Sequence, residues 1–397
     1  MSSLPYDIIA QFIDTVGENN ETNLLKELAL VSHCFHQICS KHLFATVELH
    51  DADPGNDIGS SKKGFVKLLT SRPDVVKHIR NLTYKVKIEC DRPPTDDHLP
   101  PILPNLLRTI PGLNYLKIST SSSSWFDWNN LESSLRLALL HLIHLPTINH
   151  IDLSFIQNFP LSSLTPSVNL HRLDIWRLKC TDPPEEVVVQ SEMMPNIREF
   201  HIRDSSLMTT RLLHAKMQDG QPAFKFMDLR GLYTCLEDKQ NVRYLVRNAK
   251  LLEKLHLTVR YGQSLVELHD ILSPRAYTLK VLTLTGTLTE LLYVSVHQPF
   301  QRLWEELEAM AGHNMLEALT FEVYVGFRDS ENSIASMIRN VEKVLVKPGW
   351  PALRKVSFKV VGDSAGLSEA LQSLPDKHLS HLLKLDSVAF RYSVYVT

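Results

Sequence analysis

One spacing constrains this 397-residue chain more than any other feature: an apolar residue, two residues, a second apolar residue, one residue, a third. It begins at Phe44, Val47, Leu49 and recurs at Ile79, Leu82, Tyr84, at Leu113, Leu116, Ile118, at Ile148, Ile151, Leu153, at Leu170, Leu173, Ile175 and at Ile197, Phe200, Ile202. It continues at Phe224, Met227, Leu229, at Leu252, Leu255, Leu257, at Leu279, Leu282, Leu284, at Leu316, Leu319, Phe321, at Leu353, Val356, Phe358 and at Leu385, Val388, Phe390. These twelve copies start 22 to 37 residues apart. The last step is strand alternation, and the three-residue step before it brings the chain out of a helix or turn. Helical stripes lie between copies, among them Phe65 to Leu69, Leu131 to Ile143 and Ile334 to Val346. Strand, loop and helix at this period predict a stacked repeat array of α/β type. A doubly wound sheet of unrelated strands is the competing architecture, and the recurrence of one step counts against it.

Ahead of the array stand 44 residues that read as two or three short amphipathic helices. Pro5 suits a first helical turn, having no N–H to lose. Ile8, Ile9, Phe12, Ile13 and Val16 share one face, and Gly17 with the polar run to Asn23 ends that helix. Leu24, Leu28, Val31, Phe35 and Ile38 follow at steps of four, three, four and three, the stripe of a second helix. So short a segment is marginal alone and leans on something else.

The run Leu4-Pro5, Asp7, Ile8-Ile9, then Leu25-x-x-Leu28-x-Leu30-Val31-Ser32, an aromatic at Phe35 and the closing Leu43-Phe44 resembles the F-box, most closely the F-box-like proteins of mushroom-forming fungi. It departs from the common form at Asp7, where Glu is usual, at Phe35, where Trp is usual, and in the long polar segment Asp14 to Asn23. The array resembles the irregular leucine-rich repeats that follow F-boxes, without the usual Asn or Cys after the strand: Lys87, Ser121, Ile156, Leu178 and Arg260 stand there. The resemblance implies an F-box over residues 1–44 and an irregular leucine-rich-repeat solenoid over 45–397, with loops at 87–102 and 119–130. It implies that Leu4, Pro5, Ile8, Ile9, Leu24, Leu28, Val31, Phe35 and Phe44 divide between a small core and a face for a Skp1-like adaptor. Through that adaptor the chain would reach a cullin-based ubiquitin ligase, with an unknown protein substrate held on the repeats. The alternative is a repeat-type interaction protein with no ligase role, its head merely capping the array.

In such an array the residues alternating with the buried ones form a binding face. In the middle copies these are Arg172, Asp174, Trp176, then Glu199, His201, Arg203, then Phe226, Asp228, Arg230, then Lys254, His256, Thr258. Arg and aromatic residues tend to carry interface energy. Arg172, Trp176, His201, Arg203, Arg230, Lys254 and His256 are therefore the candidate substrate contacts.

Two interruptions stand out. Asp91 to Pro104 carries Pro93, Pro94, Pro100, Pro101 and Pro104, the composition of an exposed loop. Ser119 to Ser124 leads into Trp125-Phe126-Asp127-Trp128, aromatics that either dock back on the domain or form a partner-binding edge.

Catalytic motifs are thin. Gly362-Asp363-Ser364-Ala365-Gly366 fits a nucleophile elbow between strand and helix, the basis of a distant third reading as a serine hydrolase. Its acid and base would have to come from Asp376, His378, His381 and Asp386 in a short tail. A repeat turn is the plainer account of those glycines. His33, Cys34, His36, Cys39 and His42 do not converge on one helical face as zinc requires. The motifs point to no enzyme, metal or cofactor. With a net charge of −2 and dispersed Lys and Arg, the chain lacks the footprint of a nucleic-acid binder. It has no apolar span or leader, and its five scattered cysteines fit a reduced compartment, so a soluble protein of the cytoplasm or nucleus is expected.

Overall fold

The computed structural model describes residues 5–19, 21–50, 62–87, 101–122, 124–179, 188–189, 194–259, 265, 267–288, 300, 302–325, 330–362, 371–374 and 388–396. It is an α/β protein whose chain begins with helices and continues as parallel strands. The chain divides into two compact units, Met1–Asn196 with Arg211–Phe224, and Ile197–Thr210 with Lys225–Thr397.

The first unit opens with three helices, α1 (Tyr6–Glu18), α2 (Thr22–Ala29) and α3 (His33–Leu43). The single stripe expected from Leu24 to Ile38 is broken in two. Ser32 is extended (φ −162°, ψ 167°) and its hydroxyl accepts the Phe35 N–H, so the chain starts a new helix there. A serine N-cap outcompetes continuation because it satisfies an N–H the new helix would otherwise leave bare. Ile13, Val16, Leu25, Ile38 and Cys39 form the core of this head, with Ile9, Leu24, Leu28 and Phe35 packed around it.

Five strands follow, β1 (Thr46–Leu49), β2 (Asn81–Val86), β3 (Tyr115–Thr120), β4 (His150–Ser154) and β5 (Arg172–Trp176), each parallel to the next. The register aligns the repeat: Val47, Leu82, Leu116, Ile151 and Leu173 form one row, and Leu49, Tyr84, Ile118, Leu153 and Ile175 the next. From Leu82 to Leu173 the first row is fully buried. Each such side chain contributes roughly 1.5–3 kcal/mol relative to exposure. Helices α4 (Lys62–Ser71), α5 (Leu103–Arg108) and α6 (Ser133–Ile143) connect the strands and pack in sequence, α4 on α5 and α5 on α6. Strand order never reverses among these strands, as expected where right-handed crossovers place their helices on one face. A doubly wound sheet would show a reversal.

In the second unit β6 (Glu199–Arg203), β7 (Gly231–Cys235), β8 (Lys254–Val259), β9 (Val281–Leu288), β10 (Ala318–Val325), β11 (Lys355–Gly362) and β12 (Ala389–Val396) form another parallel ladder in sequence order. Phe200, Leu232, Leu255, Leu282, Leu319, Val356 and Phe390 share one row across it.

Two copies are displaced from their expected register. The seventh strand is Gly231–Cys235, not the segment around Met227, which is 42 % exposed. Leu229, Leu232 and Thr234 fill the three repeat positions, and a threonine in the third hides the copy from an apolar pattern. In the twelfth, Phe390 and Tyr392 pair with Val356 and Phe358, two residues beyond the expected alignment.

The turns lack the asparagine of regular repeats, and three use strained backbone instead. Phe155, Arg177 and Asp204, each the first residue after a strand, adopt φ of 59°, 51° and 53°. The left-handed region costs a non-glycine residue about 1 kcal/mol or more. The loop expected at 119–130 holds a two-residue strand, Phe126–Asp127, paired with Ile156–Gln157, and a 3-10 turn at Trp128–Asn130. Most of the proline-rich segment lies outside the described residues. Among the described residues no helix is long and apolar enough to cross a membrane.

Candidate binding surfaces

Three surfaces carry the residues singled out above. The first is on the helical head. Leu4 lies outside the described residues. Pro5, Ile8 and Val31 are exposed, whereas Ile9, Leu24, Leu28, Phe35 and Phe44 are half-buried. The structure adds three exposed apolar residues to the candidate contacts of the head. Tyr6, Phe12 and Leu30 are 58 %, 53 % and 88 % exposed, and with Ile8 and Val31 they make the head conspicuously apolar outside. Phe12 belongs to the arc of α1 that also supplies Ile13 and Val16. The arc is wider than three helices can cover, so Ile13 and Val16 are buried while Ile8 and Phe12 stay outside. Leu30 falls at the helix break.

Cys39 of this head is buried, which pushes its thiol above the usual range. The neighbouring histidines turn to separate partners: His33 to Gln37 (3.0 Å), His36 to Arg72 (2.7 Å) and His42 to Asp14 (2.8 Å).

The second surface is the open face of the first ladder. Arg172 is tied to its own strand, Nε and Nη2 donating to Asp174 at 3.1 Å each, and His150 Nε2 meets the same carboxylate at 3.0 Å. Lys117 pairs with Asp152 at 2.8 Å and Lys85 with Glu48 at 2.6 Å. Burial, then the charges of Asp152 and Asp174, push the Tyr115 hydroxyl far above its ordinary pKa. Trp176 packs on Phe155 at 4.7 Å between ring centres, and the Arg177 guanidinium lies 5.4 Å from Phe155 and 5.9 Å from Trp125. Lys179 Nζ sits 3.5 Å above Trp125, whose indole N–H donates to the Arg177 carbonyl. Phe126 and Trp128 are buried. The four-residue aromatic run thus splits between core and surface.

The third surface is the open face of the second ladder. His201, Tyr233 and His256 occupy one row, with ring centres 3.8 Å and 5.6 Å apart. His256 meets Thr285 Oγ1 at 2.8 Å, Thr285 donates to Glu322 at 3.2 Å, and Lys359 donates to Glu322 at 2.7 Å. Burial pulls His256 below its ordinary pKa. Burial works against the Glu322 carboxylate, but the Lys359 hydrogen bond and charge outweigh it and hold its pKa low. Arg203 and Lys254 are exposed on this face. Arg230 is not on a strand. It precedes β7, and its carbonyl accepts from Glu253 and Lys254. The same register error that put Arg230 on the face kept Tyr233 off it.

A small cleft of about 20 Å³ lies where β6 and β7 end, lined in part by Asp204, Ser206, Cys235, Glu237, Asp238 and Asn241. Ser206 and Asn241 both donate to Asp238 there, and the space suits about one water. Burial lifts the Cys235 thiol to about 11. Ser364 and the acid and base candidates of its tail lie outside the described residues.

Scanned against protein-family models the chain matches none, and a search of curated proteins finds no match.

Proposed function

We propose that the chain is a substrate adaptor of the F-box type, its head docking on a Skp1-like protein and its strands and helices forming an irregular leucine-rich-repeat array that holds a protein substrate. The observation that carries this reading is the apolar exterior of the head: Tyr6, Ile8, Phe12, Leu30 and Val31 together. A small helical unit that leaves so much apolar surface outside its own core is built to be covered. Burying the exposed part of each side chain in a partner contributes up to roughly 1.5–3 kcal/mol, which works against the cost of association. The motif order from Pro5 to Phe44 supplies the identity of the partner class. Two parallel ladders in sequence order, with helical connections and one open face each, support the repeat assignment. Such a protein works by holding two partners near each other, with no nucleophile of its own.

Co-expression with Skp1 tests the proposal. The full chain should co-purify Skp1. Ile8→Asp/Val31→Asp should lose it while melting within about 2 °C of the parent, because both side chains are exposed. Should a folded full chain leave Skp1 behind, the head is only a cap and the protein a repeat-type binder without a ligase role.

A further inference from the structure

We propose that the open face of the second ladder binds an extended acidic peptide segment, which, on the adaptor reading, is the recognition element of the substrate. The register places Lys254 on β8, Val281 on β9, Ala318 on β10 and Lys355 on β11 in one row. The next row on the same face runs His256, Thr283, Thr320, Ser357, Arg391. Lys254, Lys355 and Arg391 are exposed, and among the described residues no side-chain hydrogen bond or ion pair engages any of them. The acids on this face are Glu199, two strands from Lys254 in the same row, and Glu322, which is ion-paired to Lys359. The first ladder differs, because Lys85, Lys117 and Arg172 are each ion-paired to an acid of their own face.

Between Lys254 and Lys355 the face is paved with small half-exposed side chains, Val281, Thr283, Ala318 and Thr320. They let a peptide backbone approach the sheet, and the two threonine hydroxyls are placed to bond it. Three strand spacings of about 4.8 Å put Lys254 and Lys355 some 14 Å apart. An extended chain advances about 3.3 Å per residue, so carboxylates about four positions apart meet both lysines, and one about two positions further meets Arg391. Charge complementarity of this kind sets specificity and on-rate, and the partner it selects is acidic.

Fluorescence anisotropy on the full chain tests this with a labelled Ser-Glu-Ser-Gly-Ser-Glu-Ser-Glu-Ser peptide, its Gln counterpart and a deoxythymidine oligonucleotide of matched charge. The Glu peptide should bind at least about tenfold tighter than the Gln peptide. Lys254→Glu/Lys355→Glu, and more mildly Lys254→Gln/Lys355→Gln, should erase that difference without shifting the melting midpoint. Lys26→Glu on the head should preserve it. Equal binding of the Glu and Gln peptides overturns the proposal, as does unaltered binding by both double variants. So does an oligonucleotide that binds tighter than the Glu peptide. A chain that takes Skp1 but ignores the Glu peptide refutes the acidic-segment proposal alone and leaves the adaptor reading standing.

Discussion

Gly17 of α1 lies directly against the His42 imidazole of α3, close enough that a Cβ on Gly17 would overlap the ring. The ring is held in place by its 2.8 Å bond to Asp14, one turn earlier on α1. In an exposed helix, glycine to alanine stabilises by about 1 kcal/mol. Here the sign inverts. Gly17→Ala should cost about 1–3 kcal/mol, because His42 must leave Asp14 to make room. Hydrogen exchange over α1 and α3 checks it, and faster exchange is the expected outcome.

The position of the seventh strand makes a contrast between neighbours. Met227→Lys should change stability by less than about 0.5 kcal/mol, since the side chain is exposed, whereas Leu232→Ala should cost about 2–5 kcal/mol. Thr234→Val should be neutral or stabilising by up to about 1 kcal/mol, because its hydroxyl is buried and bonds only weakly to the Cys235 carbonyl at 3.4 Å. Denaturant titrations of the three variants decide between the two registers.

His256 and Glu322 place acid sensitivity in the second unit. Each has a native pKa below its ordinary value, 6.5 for His256 and 4.5 for Glu322. Their contributions are therefore complete above those values and fade as pH falls through the native ones. The midpoint should drop first below about pH 6.5 and again below about pH 4.5. His256→Gln should flatten the first step. Glu322→Gln should cost about 1 kcal/mol at neutral pH, a gap that closes as the parent carboxylate protonates. Thermal melts from pH 8 to pH 3 follow both.

Phe155 combines a left-handed backbone with a buried ring between Trp125 and Trp176. Phe155→Ala keeps the strained backbone and removes the packing, so it should cost about 3–5 kcal/mol. The emission of Trp125 and Trp176 should shift to the red as water reaches them. Phe155→Gly, which tolerates positive φ, should be less destabilising than its alanine counterpart despite the smaller side chain.

The amino-acid sequence by itself determined the recurring apolar step and the alternation along most strands. These properties are local, because a side chain two or three residues along the backbone points where strand or helix geometry sends it. Tertiary structure decided the rest. Ser32 capping α3 broke a stripe that spacing alone ran together, and Thr234 in a core row hid a strand behind a polar residue. Which lysine meets which carboxylate was decided the same way: Lys359 reaches Glu322 from a position 37 residues distant, while Lys254, Lys355 and Arg391 remain exposed. Periodicity states which face a side chain takes. Only the register between strands brings two distant side chains within a hydrogen bond of each other, and that distance separates a neutralised surface from one that attracts an acidic partner.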